Sequence, residues 1–402
     1  MSFRTLDGVD VKGQRALVRV DFNVPMNDGV VADDTRLRAA LPTIQKLRSG
    51  GALVILLAHF DRPKGKRVSS MSLEPVVAPL AKLIGAPVAF AEDCVGAPAT
   101  DAIARMADGD VLLLENLRFH AGEEANDPAF AAELARNGDV YVDDAFSAAH
   151  RAHASTEGLA RLLPAYAGEA MRRELEALEA ALGNPKRPVL GIVGGSKVST
   201  KLDLLKNLVQ KLDALAIGGG MANTFLYAQG HNVAASFCEK GLADTAIEIM
   251  DLARDKGCEL LLPIDVVVAE RMEAGVPSRT RSLDAIGTNE RILDAGPRTV
   301  EKLIQAMDAS NTLIWNGPLG VFEIPPFDAA TTAAARHAAT LAKDAKLIAV
   351  AGGGDTVAAL HHAGVTDDFT FVSTAGGAFL EWMEGKTLPG VAALQATNAS
   401  VN

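Results

Sequence analysis

The chemistry-bearing residues of this sequence sit just after apolar runs. Asp21, Phe22 and Asn23 follow the run 16–20; His59, Phe60, Asp61 and Arg62 follow 52–58; Arg118 follows 111–114; Arg151 follows 140–142; and Arg36 opens a helical pattern. Guanidiniums gathered at one place repel unless an anion lies between them. The separate arrivals of Arg36, Arg62, Arg118 and Arg151, with His59, therefore point to a site for a small, multiply charged anion. A second set lies later in the chain: Gly194-Gly195-Ser196-Lys197-Val198-Ser199-Thr200-Lys201, Gly218-Gly219-Gly220, and Gly352-Gly353-Gly354-Asp355-Thr356. Glycines between a strand and a helix let backbone N–H groups approach a phosphate, and the start of the helix adds partial positive charge. Lys197 and Lys201, a turn apart, suit phosphate contacts. Asp355 stands where a helix cap or a Mg²⁺ ligand would be useful. Together these turns suit a large ligand with a polyphosphate, and flat glycine shelves can accept an adenine ring.

Such residues need a scaffold that delivers them to one edge. Apolar runs of strand length at 16–20, 52–58, 88–90, 111–114 and 140–142, and again at 188–193, 214–217, 260–263, 312–315, 347–351 and from Phe371, alternate with helical patterns. One such pattern places Leu37, Leu41, Ile44 and Leu47 on a face; another places Leu202, Leu205, Leu208 and Val209 inward. Continuous apolar strands alternating with helices predict parallel sheets covered on both faces, whose ligands bind beyond the carboxyl ends of the strands. A long polar insert is expected from Ile264 to Pro297. The stretch 168–182, with Met171, Leu175, Leu178 and Leu182 in register, reads as a helix stopped by Gly183-Asn184-Pro185; it serves either as one more covering helix or as a rigid connector. The expected fold is α/β: two doubly wound, Rossmann-like parallel-sheet domains joined by a helix, with a cleft between them. The expected boundaries are 1–167, 168–183 for the joining helix, 184–385, and a tail over 386–402.

A chain of 402 residues exceeds what one hydrophobic core supports, which favours two domains. The net charge of -11 argues against general nucleic-acid binding, so an anionic ligand must meet locally clustered arginines. Cys94, Cys238 and Cys258 are too widely spaced for a disulfide framework or a CxxC pair, which suits a reducing compartment. The N-terminus lacks the apolar core of a signal peptide and no run approaches a membrane span, so a soluble intracellular protein is expected. The turn after residue 193 is not GxxxxGK[ST], which disfavours a P-loop ATPase. A small anion on one domain and a nucleotide on the other predict a phosphoryl-transfer enzyme, since that chemistry needs mainly positioning, charge neutralisation and closure against water.

Seven phrases, spread over essentially the whole chain and in one order, resemble the phosphoglycerate kinase family: Arg19-Val20-Asp21-Phe22-Asn23-Val24-Pro25, Glu115-Asn116-Leu117-Arg118-Phe119-His120, Ala149-His150-Arg151-Ala152-His153, Gly194-Gly195-Ser196-Lys197-Val198, Trp315-Asn316-Gly317-Pro318, Gly352-Gly353-Gly354-Asp355-Thr356 and Leu388-Pro389-Gly390-Val391. The resemblance implies reversible phosphoryl transfer from 1,3-bisphosphoglycerate to ADP, giving 3-phosphoglycerate and ATP, with Mg²⁺ on the nucleotide. It implies a glycolytic, cytoplasmic and monomeric enzyme without nucleic-acid or membrane partners, and a tail that returns to the first domain. By position, Asp21 and Asn23 resemble contacts to the glycerate, and Arg36, Arg62, Arg118, Arg151 and His59 resemble the family's basic patch, with Phe22, Phe60 and Asp61 beside them. Arg36, Lys197, Gly354 and Gly377 match its catalytic positions; Lys197 is the one expected to follow the phosphoryl in flight. Lys197, Lys201, Gly219, Asn316, Glu323, Gly353, Gly354, Asp355 and Thr356 match its nucleotide contacts. Within that set Glu323 is expected on the ribose and Asp355 on the metal. The chain departs from the family at Phe60-Asp61, where Leu-Gly is usual, and at Ala375, where a third glycine is common; Asp61 is expected to point away from the anion. Two other readings stay open from sequence: a related transferase for another carboxylate, and a nucleotide sensor without turnover.

Overall fold

The computed structural model describes residues 3–395. The chain divides into two compact units, one running up to Glu176 and resuming at Thr387, the other spanning Ala177–Lys386.

The first unit is built on β1 (Arg15–Arg19), β2 (Leu53–Leu57), β3 (Val88–Ala91), β4 (Val111–Leu114), β5 (Val140–Asp143) and β6 (Ala165–Ala167). They lie in the order β3-β4-β2-β1-β5-β6, every pair parallel. Ala16, Leu17, Val18, Val54, Leu56 and Leu113 are fully buried, because helices cover both faces and no side of the central strands meets water. Helix α1 (Thr35–Ser49) packs through Leu37, Ile44 and Leu47, with Leu41 half-buried against the same core. The chain winds outward from β1 through β2 and returns on the other side as β5, so the reversal falls between β1 and β5. The helix Pro389–Leu394 belongs to this unit: Val391 and Leu394 are buried, and the Gly390 amide donates to the Ala149 carbonyl at 2.9 Å. The remainder of the predicted tail, 396–402, lies outside the described residues.

Helix α2 (Glu169–Leu178) carries the division between the units. Asp144 accepts from the Ala170 and Met171 amides at its start, which are donors without intrahelical partners. The helix predicted over 168–182 is α-helical only to Leu178; Glu179–Gly183 continues it as a wider π turn before the Gly-Asn-Pro stop.

The second unit contains β7 (Val189–Val193), β8 (Ala214–Ile217), β9 (Glu259–Leu261), β10 (Asp265–Ala269), β11 (Arg279–Ser282), β12 (Arg291–Ala295), β13 (Thr312–Asn316), β14 (Ile348–Gly352) and β15 (Phe371–Ser373). Six of them form a parallel sheet, β9-β8-β7-β13-β14-β15, with its reversal between β7 and β13. Helices α3 (Leu202–Leu208), α4 (Gly219–Ala228), α5 (Gly354–Ala363) and α6 (Gly377–Met383) each follow a strand of that sheet. In α3 the inward face is Leu204, Leu205 and Leu208, with the predicted Leu202 only half-buried. The predicted polar insert is a three-stranded antiparallel sheet, β11-β10-β12. Its strands escape a sequence reading because only β10 carries an apolar run, while the edge strand β11 is polar and exposed. Asp265 ties this sheet to the helix Pro297–Asp308 by accepting from the Arg298 and Thr299 amides.

Candidate active site

In the first unit, four adjacent strands deliver the predicted anion-binding residues past their carboxyl ends. The Asp21 carboxylate pairs with Arg36 at 3.0 Å and accepts from the Ser147 hydroxyl at 2.6 Å. Arg36 also donates to the Asn23 carbonyl at 2.8 Å. The Asn23 side-chain oxygen accepts the Asp61 amide at 2.9 Å, and Arg118 donates to the Asp61 carbonyl at 2.7 Å. Asp21, Asn23, Arg36, Asp61 and Arg118 thus form one hydrogen-bonded network. Asp61 holds φ +52°, a left-handed conformation natural to glycine. Its side chain is exposed and makes no ion pair with these arginines among the described residues. Arg62 is exposed, and Arg151 lies half-buried with its Nε donating to His150 Nε2 at 3.2 Å. Phe22 and Phe60 turn their rings into the core, and both the amide and the carbonyl of Phe60 are taken by Asn116.

Sequence reasoning missed the residue that organises the patch. Arg19, 1% exposed inside β1, donates to Ser155 Oγ at 2.9 Å, to the Val20 carbonyl at 2.6 Å and to His59 Nδ1 at 2.9 Å. A guanidinium cannot accept, so His59 accepts through Nδ1 and its neutral ring keeps its proton on Nε2. Burial pushes the His59 imidazole well below its ordinary range, and Arg19, Arg118 and Arg151 push it further. His153 is driven down to about 3, by burial first and then by Arg118, Arg19 and Arg151. After burial, the neighbouring guanidiniums add to both shifts. Burial, with Arg151 and Arg19, likewise lowers Arg118, whose Nε has the Glu124 carboxylate at 3.3 Å but no aligned hydrogen bond. A charge inside an otherwise apolar strand, at Arg19, was the available signal: a buried arginine must face partners.

In the second unit, the predicted turns converge on the reversal between β7 and β13. A Cβ on Gly194 would collide with the Pro318 carbonyl, so the two strand ends can meet only with glycine there. Lys201 reaches into this junction, donating to the Gly194 carbonyl at 2.7 Å and to Asn316 Oδ1 at 2.6 Å. Burial lowers its ammonium to about 8, with Asp355 pulling the other way. Asn316 in turn donates to the Gly352 carbonyl at 2.8 Å, and the buried Thr356 hydroxyl accepts from the Gly317 amide at 2.7 Å. Gly353, at φ +97°, caps α5, whose first-turn residues Gly354 and Asp355 are exposed; Gly377 is exposed at the start of α6. Lys197 lies exposed on the loop between β7 and α3.

A cavity of about 430 Å³ brings Gly219, Glu323 and Asp355 together with Gly195. Lys197, Lys201, Asn316, Gly353, Gly354, Thr356 and Gly377 are not part of its lining. The cavity also presents apolar groups that sequence reasoning did not single out, Phe237, Met272, Leu293 and Val321. Phe237 and Met272 are about half exposed, a deficit of burial that only the folded chain displays.

Three carboxyl groups line this cavity. Asp294 is buried, accepts from the Ala295 and Ala330 amides, and is pushed up to about 8 by burial, so it is a poor cation ligand. Asp355 is exposed at the start of α5 with no hydrogen bond or ion pair among the described residues, a hard oxygen donor suited to Mg²⁺. Elsewhere, Asp93, Cys94 and His120 form a close set of metal-type donors, but Asp93 is already engaged by His120 at 2.7 Å and Arg67 at 3.3 Å, and burial pushes the Cys94 thiol well up.

A positively charged patch at one sheet edge, and at another a glycine-lined cavity with an exposed carboxylate beside the turn that Lys201 enters, define an α/β enzyme of the kinase class. The sequence model for phosphoglycerate kinase matches residues 6–386. The chain is 72% identical over 396 residues to the phosphoglycerate kinase of Caulobacter vibrioides strain NA1000, covering 98% of this chain and 100% of that one. It is 62% identical over 394 residues to the enzyme of that name from Agrobacterium fabrum, covering 98% of each. The structure of phosphoglycerate kinase from Coxiella burnetii superposes with a TM-score of 0.91 at 41% identity, covering 98% of this chain and 99% of that one. The chain belongs to the phosphoglycerate kinase family.

Proposed function

We propose that this enzyme transfers a phosphoryl group reversibly between 1,3-bisphosphoglycerate and ADP, giving 3-phosphoglycerate and ATP, in glycolysis and gluconeogenesis. Residues 1–167 hold the phosphoglycerate, 168–183 connect, 184–385 hold the nucleotide, and the tail over 386–402 returns to the first domain. Asp21 and Asn23 orient the glycerate. Arg36, Arg62, Arg118 and Arg151 neutralise its phosphate and carboxylate, while His59, kept neutral by Arg19, offers its Nε2–H as a donor. Glu323 takes the ribose, and Gly219 and its neighbours take the base. Lys201, with Asn316, Gly353 and Thr356 setting the turn around it, faces the phosphates. Lys197 follows the transferred group, and the amides of Gly354 and Gly377 stabilise it. Asp355 would hold Mg²⁺, which neutralises charge on the nucleotide phosphates. The attacking atom is already a carboxylate or phosphate oxygen, so no base is required. With each substrate on its own unit, transfer awaits the closure that brings donor and acceptor in line.

The observation that carries this reading is the geometry of the first unit: in a chain of net charge -11, one sheet edge gathers Arg36, Arg62, Arg118 and Arg151, with Arg36 and Arg118 joined through Asn23 and Asp61. That is the signature of a built anion site. We take the enzyme to be a cytoplasmic monomer; among the described residues no helix is long and apolar enough to cross a membrane. The test is coupled turnover of 3-phosphoglycerate with ATP and Mg²⁺, compared with Arg36→Ala. The variant should fold and lose about 10²-fold or more in kcat, the scale of removing a charge-stabilising donor. Unchanged turnover in Arg36→Ala, or equal use of unrelated acyl phosphates, would sink the assignment.

A further inference from the structure

The second unit holds another cavity that the transfer reaction does not use. It measures about 450 Å³ and opens at the edge of the parallel sheet, where β9 has a partner on one side only. Its floor is apolar, made by Met250, Leu260, Leu262 and Leu283. Cys258 joins that floor as a neutral group, since burial pushes its thiol up to about 11. The charged side chains on its lining are Arg254 and Lys302, with His231 beside them and no carboxylate among the described lining residues. Their acidic neighbours stand outside the cavity: Asp284 lies 3.8 Å from His231, Glu259 3.6 Å from Lys302, and Asp251 2.7 Å from Arg254. Glu259 and Asp251 are 66% and 54% exposed, so water screens both ion pairs and leaves Lys302 and Arg254 open to a ligand.

A concave lining of apolar side chains with two water-screened cations, Arg254 and Lys302, in a chain of net charge -11, favours one kind of molecule. An inorganic anion gains nothing from the apolar lining, and an apolar cation finds no carboxylate on it. We infer that this cavity is a second ligand site, which takes a small amphipathic anion: a carboxylate or phosphate monoester head on an apolar body of several carbons. Pro263 lines this cavity and also the nucleotide cavity, so the two sites lie on either side of the segment that joins β9 to β10.

The test is calorimetric titration of the intact enzyme with octanoate and with octyl phosphate, 3-phosphoglycerate and ADP being present at saturation so that both substrate sites are filled. One equivalent of each should bind, and octylammonium should bind about tenfold or more weakly. The double variant Arg254→Glu/Lys302→Glu reverses two exposed charges and should weaken octanoate by about tenfold or more while leaving turnover unchanged. A second variant, Leu260→Gln, should weaken octyl phosphate and octanoate alike, because it removes floor common to both. The inference falls if octylammonium binds as well as octanoate, if the charge reversal leaves octanoate affinity intact, or if octanoate fails to bind once the substrate sites are filled.

Discussion

Two buried cations are asked to do opposite things. Arg19 spends its donors on Ser155, Val20 and His59, and so acts on a ligand only through the ring it holds. Lys201 keeps a charge at the nucleotide turn even though burial works against it. That cost gives Lys201 a sign that can be read. Unfolded, the ammonium titrates near 10.5; folded, near 8. The folded chain therefore loses its proton first, so the penalty on stability is complete below pH 8 and fades between 8 and 10.5. Function runs the other way, because the neutral amine no longer attracts phosphate. We expect kcat/KM for ADP to fall above about pH 8, and Lys201→Arg, which stays charged, to flatten that limb. An unaltered limb in the arginine variant would assign it to another group. Asp61 holds a left-handed backbone that glycine adopts more readily. Its positive φ costs about 1 kcal/mol in a non-glycine residue, and glycine gives back a similar amount through the greater freedom of its unfolded chain. Asp61→Gly should therefore leave stability in urea within about 1 kcal/mol. With the carboxylate free of the arginines, KM for 3-phosphoglycerate should change by less than about tenfold, or ~1.4 kcal/mol.

At the level of elements, both sites sit where a doubly wound sheet reverses direction, and glycine is what allows the strand ends to be used there. Gly353 is the sharpest case, because its φ of +97° disfavours any side chain and a Cβ would meet Asn316 Nδ2 at 2.6 Å. Asn316 is also the acceptor that holds Lys201. Gly353→Ala should thus lower thermal stability by about 1–3 kcal/mol and kcat/KM for ADP by about 10²-fold, while leaving 3-phosphoglycerate affinity, measured by titration, near the parent value. Equal losses for both ligands would show that the change disrupts more than the α5 turn. The strands of both large sheets, except β6 (Ala165–Ala167), were legible because buried parallel strands need continuous apolar runs, and the arginines, lysines and glycine turns stood beside those runs; β6 is three residues long and follows no such run. The small sheet β10–β12 was not legible: only β10 carries an apolar run, and its edge is polar. Nor was the pairing of Arg19 with His59, which brings together residues 40 positions apart through sheet register. The apolar wall of Phe237 and Met272 was hidden for a related reason, since isolated large side chains in a sequence look alike whether they face a core or a cavity. Motif order reached the family; it did not reach which hydrogen bonds the motif residues make with one another.

Across the whole molecule the charge balance poses a competition. The chain carries -11, yet its substrates are anions, so at long range the protein repels what its first unit attracts. Distance decides which term salt removes first. Repulsion from charges spread over the surface acts across tens of ångströms and is largely screened once the Debye length shrinks from about 30 Å at 0.01 M to about 10 Å at 0.1 M. Attraction to Arg118, 3% exposed, acts over a few ångströms at a desolvated edge and is screened much less. Added KCl should therefore raise kcat/KM for 3-phosphoglycerate at first, by relieving the repulsion. It should lower kcat/KM above roughly 0.2 M, where chloride competes for the exposed members of the patch and the Debye length approaches contact distances. Arg62, the exposed arginine, should feel that competition most, so Arg62→Ala should weaken the falling limb and leave the rising one. A monotonic decline from the lowest salt would mean that the patch outweighs the net charge at every distance. In that case the surface carboxylates would have no measurable hold on substrate encounter.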